Sequence, residues 1–252
     1  MLQLTDLYLP KDFIETAEGL CFAVVQNGAE MCGYVEKVLC FLRYVKNDGK
    51  QWHKVATEQA NAYLKTNHPE YLHYSAVLDA NLHAVTTDKI VQHHQPRQRL
   101  QQVLAKQQRD KVEQDLYDLC LLYQHNGLDL TQAGVTGSIL LGVQQQQSDI
   151  DLVFYSREHF HKVRAITANL IEQKQLGDLV EHDWQEAYAR RSCALTLAEY
   201  VWHECRKFNK ALINGRKFDL NFVDMHTQAE KIPYQKCGAI TLQCKITEDK
   251  FG

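Results

Sequence analysis

Two aspartates at the start of an apolar run are the residues of this sequence best placed to do chemistry. Asp149 and Asp151 lead into residues 152–155, an apolar, β-prone run typical of a buried strand. Since side chains alternate faces along a strand, the two carboxylates point the same way and repel each other unless a cation lies between them. Mg²⁺ or Mn²⁺ suits the pair, because such ions are usually bound by one or two carboxylates together with the phosphates of a substrate.

Ten residues separate a glycine and a serine from these acids. Gly137 lets the backbone approach a phosphate closely, while the Ser138 hydroxyl and nearby N–H groups can donate hydrogen bonds to it. On its own, the pair is as typical of an ordinary turn and helix cap as of a phosphate-binding turn. Together with Asp149 and Asp151, it predicts a cradle for the phosphates of a bound phosphate donor.

A third acid is predicted further along the chain. The tight-turn signal at residues 214–215 is followed by an alternating strand over residues 217–223 that contains Asp219. Asp224 is the rival candidate, but it falls at the far end of the strand, where an acid in a turn is the default. We therefore expect Asp219 to join the acidic site.

Five bases without an acid lie between residues 206 and 217, just before the Asp219 strand. We expect Lys207, Lys210 and Arg216 to contact a triphosphate or the backbone of an acceptor. The alternative is a helix end whose bases complement the helix dipole. The stretch slightly favours a nucleic-acid acceptor, RNA in particular.

Composition sets broad limits on the protein. Its 252 residues are 45% apolar and 23% charged, with a net charge of −3, which argues against a sequence-blind nucleic-acid coat protein. Eight cysteines without any Cys-x-x-Cys spacing predict reduced thiols in a cytoplasmic protein. No signal peptide and no membrane span are recognisable, so we expect no membrane partner.

The pattern of elements predicts an α+β protein. Residues 1–108 form a smaller α+β unit of unknown role, and from residue 109 the pattern becomes plainly helical, so the boundary is placed between them. Residues 109–230 form the chemistry-bearing core, and residues 231–252 form an extension with a strand over 238–246. Within the first unit the sequence predicts strands at 20–25, 38–45 and 82–85, a helix at 56–65 and a capped helix through 90–91. The stretch 93–99 predicts a polar surface turn before a helix, and its alternative is a basic contribution to a substrate groove.

Residues 109–224 resemble the DNA-polymerase-beta-like nucleotidyltransferase superfamily. The resemblance rests on the Gly-Ser pair, the ten-residue gap, residues 148–152, and the later hydrophobic-Asp-hydrophobic strand of residues 218–220. It implies a small mixed-sheet core with helices, which transfers a nucleoside monophosphate (NMP) from a nucleoside triphosphate (NTP) onto a hydroxyl. The first unit is similar to the one preceding the core in uncharacterised predicted nucleotidyltransferases of archaeal type, through residues 13–16 and 18–20.

The chemistry of this reaction agrees with the residues. Two metal ions can stabilise the attacking and leaving oxygens of an in-line displacement, and three carboxylates provide enough ligands for the pair. Asp149 and Asp151 would bridge the ions, and Asp219 would complete the site of the ion that activates the acceptor hydroxyl. One departure is visible: many subfamilies place an arginine before the second glycine, where this sequence has Leu141.

Two other hypotheses remain open at this point. The core could be a non-catalytic nucleotide-binding or partner-binding module, although the three retained acids argue against it. The acceptor could also be a protein side chain. The base of the NTP, the acceptor and the oligomeric state are not specified by the sequence.

Overall fold

The computed structural model describes residues 7–47, 51–191, 193–225, 233–245 and 247, and shows the predicted α+β architecture. Its strands, β1 to β12 in chain order, are Phe13–Thr16, Leu20–Val24, Glu30–Cys32, Val35–Asn47, Gln51–Lys54, Leu72–Ser75, Ala80–Thr86, Ile90–His94, Ala133–Thr136, Ile150–Phe154, Lys210–Ile213 and Arg216–Phe222. Its helices, α1 to α7, are Thr57–Asn67, Pro96–Ala105, Lys111–His125, Ser138–Leu141, Arg157–Glu172, Glu181–Ala189 and Leu197–Glu204. Within the described residues, none of these helices is long and apolar enough to cross a membrane.

The first sheet has the order β6-β7-β4-β2-β1-β8, and β3 and β5 also pair with β4. Strand β2 shows why this sheet lies between two layers. Leu20, Phe22 and Val24 belong to one core with residues of α1, whereas Cys21 and Ala23 on the opposite face pack with Leu140 of α4 and its neighbours. An apolar run without polar alternation is what a strand buried on both faces requires.

The second sheet has the order β11-β12-β10-β9 and carries the acids. Strand β10 is parallel to β12 and antiparallel to β9. Ile150, Leu152 and Phe154 of β10 enter a core shared with α3 and α5. Asp149 and Asp151 therefore lie on the opposite face, away from those helices.

Helix α2 packs against the second sheet, although it precedes residue 108. Leu100 and Val103 of α2 are buried in the second core. A Cβ atom at Gly134 of β9 would lie 2.7 Å from the Pro96 Cβ, so only glycine admits this close approach. The domain boundary at residue 108 stays a prediction.

Two predictions for the first unit are wrong. Residues 87–89 form a short 3₁₀ turn, followed by strand β8 where a capped helix was expected. His93 and His94 end this strand and are half-buried, so they do not form a polar surface turn. Their rings contact Asp12 and Glu15 at 2.8 and 3.3 Å. The pairing of β8 with β1, some 75 residues earlier in the chain, determines both outcomes.

The predicted strand over residues 238–246 is also not formed in residues 238–245. These residues have no regular secondary structure and are exposed. Upstream of them, the Tyr234 N–H donates to the Val77 carbonyl at 2.7 Å. Among the described residues this segment has no partner strand, and an unpaired backbone gains nothing by becoming extended.

Candidate active site

The second sheet brings the three predicted acids to one face. Asp151 on β10 and Asp219 on β12 are direct neighbours in the parallel register. Asp149 lies two residues before Asp151 and therefore on the same face. The rival acid Asp224 lies elsewhere, with its carboxylate 3.9 Å from Arg157.

Gly137 closes the site from the β9 side. Thr136, the last residue of β9, pairs with Asp151, and Gly137 follows it at the start of α4. Gly137 has φ +70° and ψ −146°, a conformation that essentially only glycine adopts. A Cβ atom here would lie 2.5 Å from Oδ2 of Asp151, so the missing side chain makes room for that carboxylate. The predicted Gly-Ser turn thus lies directly against the acids, with Ser138 as the first residue of α4.

Burial and mutual repulsion disfavour the charged forms of the acids. Burial, and then the Asp219 charge, raise the pKa of Asp151 to about 6, against the opposing effect of Lys11. Burial raises the pKa of Asp219 too, and Lys210 opposes it. Asp149 lies at the exposed rim, where partial desolvation raises the pKa of its carboxyl. The site therefore concentrates negative charge that a cation would relieve.

The donor atoms fit a hard divalent cation. All three side chains offer carboxylate oxygens, the ligands that Mg²⁺ and Mn²⁺ prefer. One oxygen from each of Asp149, Asp151 and Asp219 cannot be chosen so that all three lie within 4.8 Å of one another. A bound cation would remove the repulsion between these carboxylates.

Lys210 is the predicted basic residue that pairs in strand register with one of the acids. It pairs with Asp219 in the β11–β12 register, and its charge lowers the pKa of that carboxyl. Lys210 Nζ also lies 3.5 Å from Oε2 of the buried Glu204. Lys207, at the surface, forms an ion pair with the same glutamate. Lys207 is therefore neutralised on the rim, whereas Lys210 lies between Glu204 and Asp219.

Arg216 has a largely buried side chain and braces the loop that leads to Asp149. Its Nε donates to Asp115 Oδ2 at 2.8 Å, and its Nη1 donates to the Gln146 and Ser148 carbonyls, each at 2.7 Å. Its side chain is only 9% exposed, and its guanidinium is committed to these three acceptors. This position favours a role in holding the loop over direct phosphate contact.

A second arginine, Arg99 of α2, braces the Gly-Ser turn. Its Nε donates to the Ile139 carbonyl at 2.7 Å, and its Nη2 donates to Glu113 Oε1 at 2.9 Å. The sequence lacks an arginine at Leu141, whose side chain instead packs against the cluster that contains Phe13. The sequence offers Arg99 only as part of the basic stretch at 93–99, and it lies forty residues before the turn that it contacts.

We expect Arg216→Lys to destabilise the protein, because Arg216 braces the loop that leads to Asp149. Lysine cannot donate in fixed directions to three acceptors, so we expect the protein to lose about 1–3 kcal/mol of stability, as for unsatisfied buried polar groups. Urea unfolding followed by circular dichroism would measure the loss. Arg164→Lys is the matched control, since Arg164 makes one exposed hydrogen bond, to the Lys207 carbonyl. Equal stability of the two variants would contradict the bracing role.

The first sheet also contributes to the site. Phe13 and Tyr44 pack with Leu140 of α4, and the Thr136 hydroxyl donates to the Lys11 carbonyl at 2.7 Å. The charges of Lys11 and Lys54 lower the pKa of Asp151. The sequence does not predict these lysines, since their region contains no recognisable chemical motif. Only the contact between the two sheets places them near the acids.

The mixed sheet, with acids on paired strands beside a glycine turn, agrees with the predicted resemblance. Residues 122–213 match the family described as nucleotidyltransferase domain, which confirms the predicted polymerase-beta-like classification. The matched range includes Gly137, Ser138, Asp149 and Asp151 and ends before Asp219.

A relative extends the similarity to nearly the whole chain. The chain is 28% identical to the uncharacterized protein MJ1086 of Methanocaldococcus jannaschii, over 96% of this chain and 77% of the relative. The predicted similarity to uncharacterised proteins of archaeal type is thereby confirmed. No solved structure matches the chain significantly.

Proposed function

We propose that this protein transfers an NMP from an NTP to a hydroxyl of a second substrate in a reaction that depends on Mg²⁺ or Mn²⁺. The observation that carries the proposal is the register of Asp151 beside Asp219. Asp149 shares their face, and the Gly137 backbone lies against Asp151. The nucleotidyltransferase family match supports the reaction type.

Each acid has a role in this reaction. The acceptor oxygen forms a bond to the α-phosphorus, the bond to pyrophosphate breaks, and the acceptor hydroxyl loses its proton. Bound divalent cations supply charge stabilisation for the attacking and leaving oxygens. Asp149 and Asp151 would hold these cations with Asp219 as a third ligand, and Asp219 would also accept the proton of the acceptor hydroxyl. Without a cation, burial raises the pKa of the Asp219 carboxyl.

The other predicted residues surround the triphosphate. The Gly137 backbone and the Ser138 hydroxyl contact its phosphates at the turn beside Asp151. Lys210 is the basic residue whose strand register directs it to the same face. Lys207 and Arg216 do not contact the phosphates in this proposal. Lys207 pairs with Glu204, and Arg216 holds the loop that leads to Asp149.

The acceptor class is not decided by the basic stretch at residues 206–217. Every base in it already has an intramolecular partner, which removes the reason for favouring RNA over a protein or small-molecule hydroxyl. Arg206 stacks on Trp202, Lys207 and Lys210 pair with Glu204, Arg216 pairs with Asp115, and Lys217 pairs with Asp183 and Glu186.

A labelling experiment tests the proposal. The protein is incubated with Mg²⁺, a total cell extract and each of the four α-phosphate-labelled NTPs, and RNA, protein and small molecules are then separated. We expect metal-dependent label in one of these fractions, which would also identify the acceptor class. The Asp149→Ala/Asp151→Ala double variant should give none. Undiminished labelling by that variant would contradict the proposed site, and NTP binding without any transfer would favour a non-catalytic module.

A further inference from the structure

A second group of potential metal ligands lies on the first sheet. Glu30 and Cys32 of β3 and His73 of β6 each offer one ligand atom, and these atoms all lie within 4.8 Å of one another. Cys32 Sγ lies 3.8 Å from His73 Nε2. Strands β3 and β6 do not pair with each other, so side chains alone join them here. Glu30 and Cys32 are two residues apart on one strand and therefore share a face.

A serine holds the glutamate in place. The Ser75 hydroxyl donates to Glu30 Oε2 at 2.8 Å and accepts from the Leu78 N–H at 3.2 Å. A hydroxyl carries one proton and can also accept, so Ser75 donates to Glu30 while it accepts from Leu78. Ser75 is completely buried. Outer hydrogen bonds of this kind typically orient metal-ligating side chains.

The spacing of the sulfur and nitrogen atoms fits a metal ion. Tetrahedral zinc has Zn–S and Zn–N distances of about 2.3 and 2.0–2.1 Å, which separate sulfur and nitrogen ligands by about 3.5 Å. The observed separation of 3.8 Å is close to that value.

We propose that Glu30, Cys32 and His73 bind one zinc ion, separate from the aspartate site, with water in the fourth position. A thiolate with an imidazole selects zinc over Mg²⁺, which prefers oxygen ligands alone. All three side chains are half-buried, so an ion can enter from solvent. The ion would tie the three-residue strand β3 to β6 and stabilise the folded first sheet, since a ligand bound only to the folded state raises its stability.

The alternative is a weak hydrogen bond between the Cys32 thiol and His73. Cys32→Ser separates the two cases, because a serine hydroxyl keeps a hydrogen bond to the imidazole but is a poor zinc ligand. Cys205→Ser is the matched control, since Cys205 is also half-exposed and makes one weak sulfur hydrogen bond, at 3.7 Å.

The experiment is a calorimetric titration of chelator-treated full-length protein with Zn²⁺, together with the spectrum of the Co²⁺-loaded protein. We expect one tight equivalent and a thiolate-to-cobalt band in the wild type and in Cys205→Ser. Cys32→Ser should lose at least about 100-fold in affinity and the thiolate band, and Ser75→Ala about 10- to 100-fold in affinity. Circular dichroism of each variant checks that it is folded.

Three results would overturn the proposal: no tight zinc in the wild type, equal affinity in Cys32→Ser, or absence of the thiolate band. The Asp149→Ala/Asp151→Ala double variant should keep its zinc. Loss of zinc in that variant alone would place the ion at the aspartates instead. Because the titration does not depend on nucleotide transfer, failure of the labelling experiment leaves this test unaffected.

Discussion

Asp151→Asn is expected to give a protein that is more stable than the wild type without metal and yet is inactive. The pKa of Asp151 is raised from 3.8 to about 6, so the folded state binds its proton more tightly than the unfolded state does. Stability therefore falls as pH rises from about 4 through about 6, and stays lowered above that pH. Asparagine has nearly the same shape and carries no charge, so it removes this effect.

The gain in stability has an upper limit. A shift of about two pKa units corresponds to about 3 kcal/mol, and partial solvation of the site reduces this value. Urea unfolding with a chelator should show Asp151→Asn above the wild type at pH 7.5. The difference should nearly vanish at pH 4, where the wild-type carboxyl is protonated in the folded state. A variant that is less stable than the wild type at pH 7.5 would contradict this account.

The same substitution should abolish transfer. Loss of a metal-ligating carboxylate removes charge stabilisation worth several kcal/mol, which corresponds to about 10³-fold or more in rate. Asp129→Asn is a suitable control, because Asp129 is an exposed acid that caps a short turn through Thr131. We expect the control variant to keep wild-type transfer. Opposite effects on stability and activity are typical of a functional site that holds like charges together.

Gly137→Ala is expected to damage the site through a single methyl group. Its backbone conformation costs a non-glycine residue on the order of 1–3 kcal/mol. The new Cβ atom would also lie 2.5 Å from Asp151 Oδ2, so the carboxylate or the turn must move. Misplacement by about 1 Å can lower a rate by about 10². We therefore expect losses in both stability and transfer rate.

Gly127→Ala is the matched control for the backbone strain. Gly127 has φ +76°, and an added Cβ atom would meet nothing closer than the Lys162 Nζ at 3.9 Å. We expect Gly127→Ala to lose stability and keep its transfer rate. Unfolding curves and kcat for both variants make the comparison. Equal kcat values for the two variants would show that transfer does not require the close approach of Gly137 to Asp151.

Local patterns predict how the three acids of the candidate site are arranged. The spacing of the Gly-Ser pair from Asp149 and Asp151 predicts a turn followed by a strand, and strand alternation places both acids on one face. The same alternation favours Asp219 over Asp224, and the β10–β12 register places Asp219 beside Asp151. These predictions depend on short-range geometry, which a sequence specifies well.

Contacts between distant segments could not be predicted in this way. The bracing contacts of Arg99 and Arg216, and the positions of Lys11 and Lys54, depend on how helices and sheets pack together. The pairing of β8 with β1 replaced an expected helix for the same reason.

The candidate zinc ligands show this limit most clearly. Cys32 and His73 are 41 residues apart, and no recognised zinc-ligand spacing contains them. Only the folded first sheet brings them together.

The most direct test of the central claim compares Asp219→Asn with Asp224→Asn in metal-dependent transfer from a labelled NTP. The two acids are five residues apart, and only Asp219 lies in register with Asp151. We predict that Asp219→Asn loses at least about 10²-fold in rate, as for loss of a general base, while Asp224→Asn stays near the wild type. Full activity of Asp219→Asn, or loss of activity in Asp224→Asn alone, would contradict the proposed three-aspartate site.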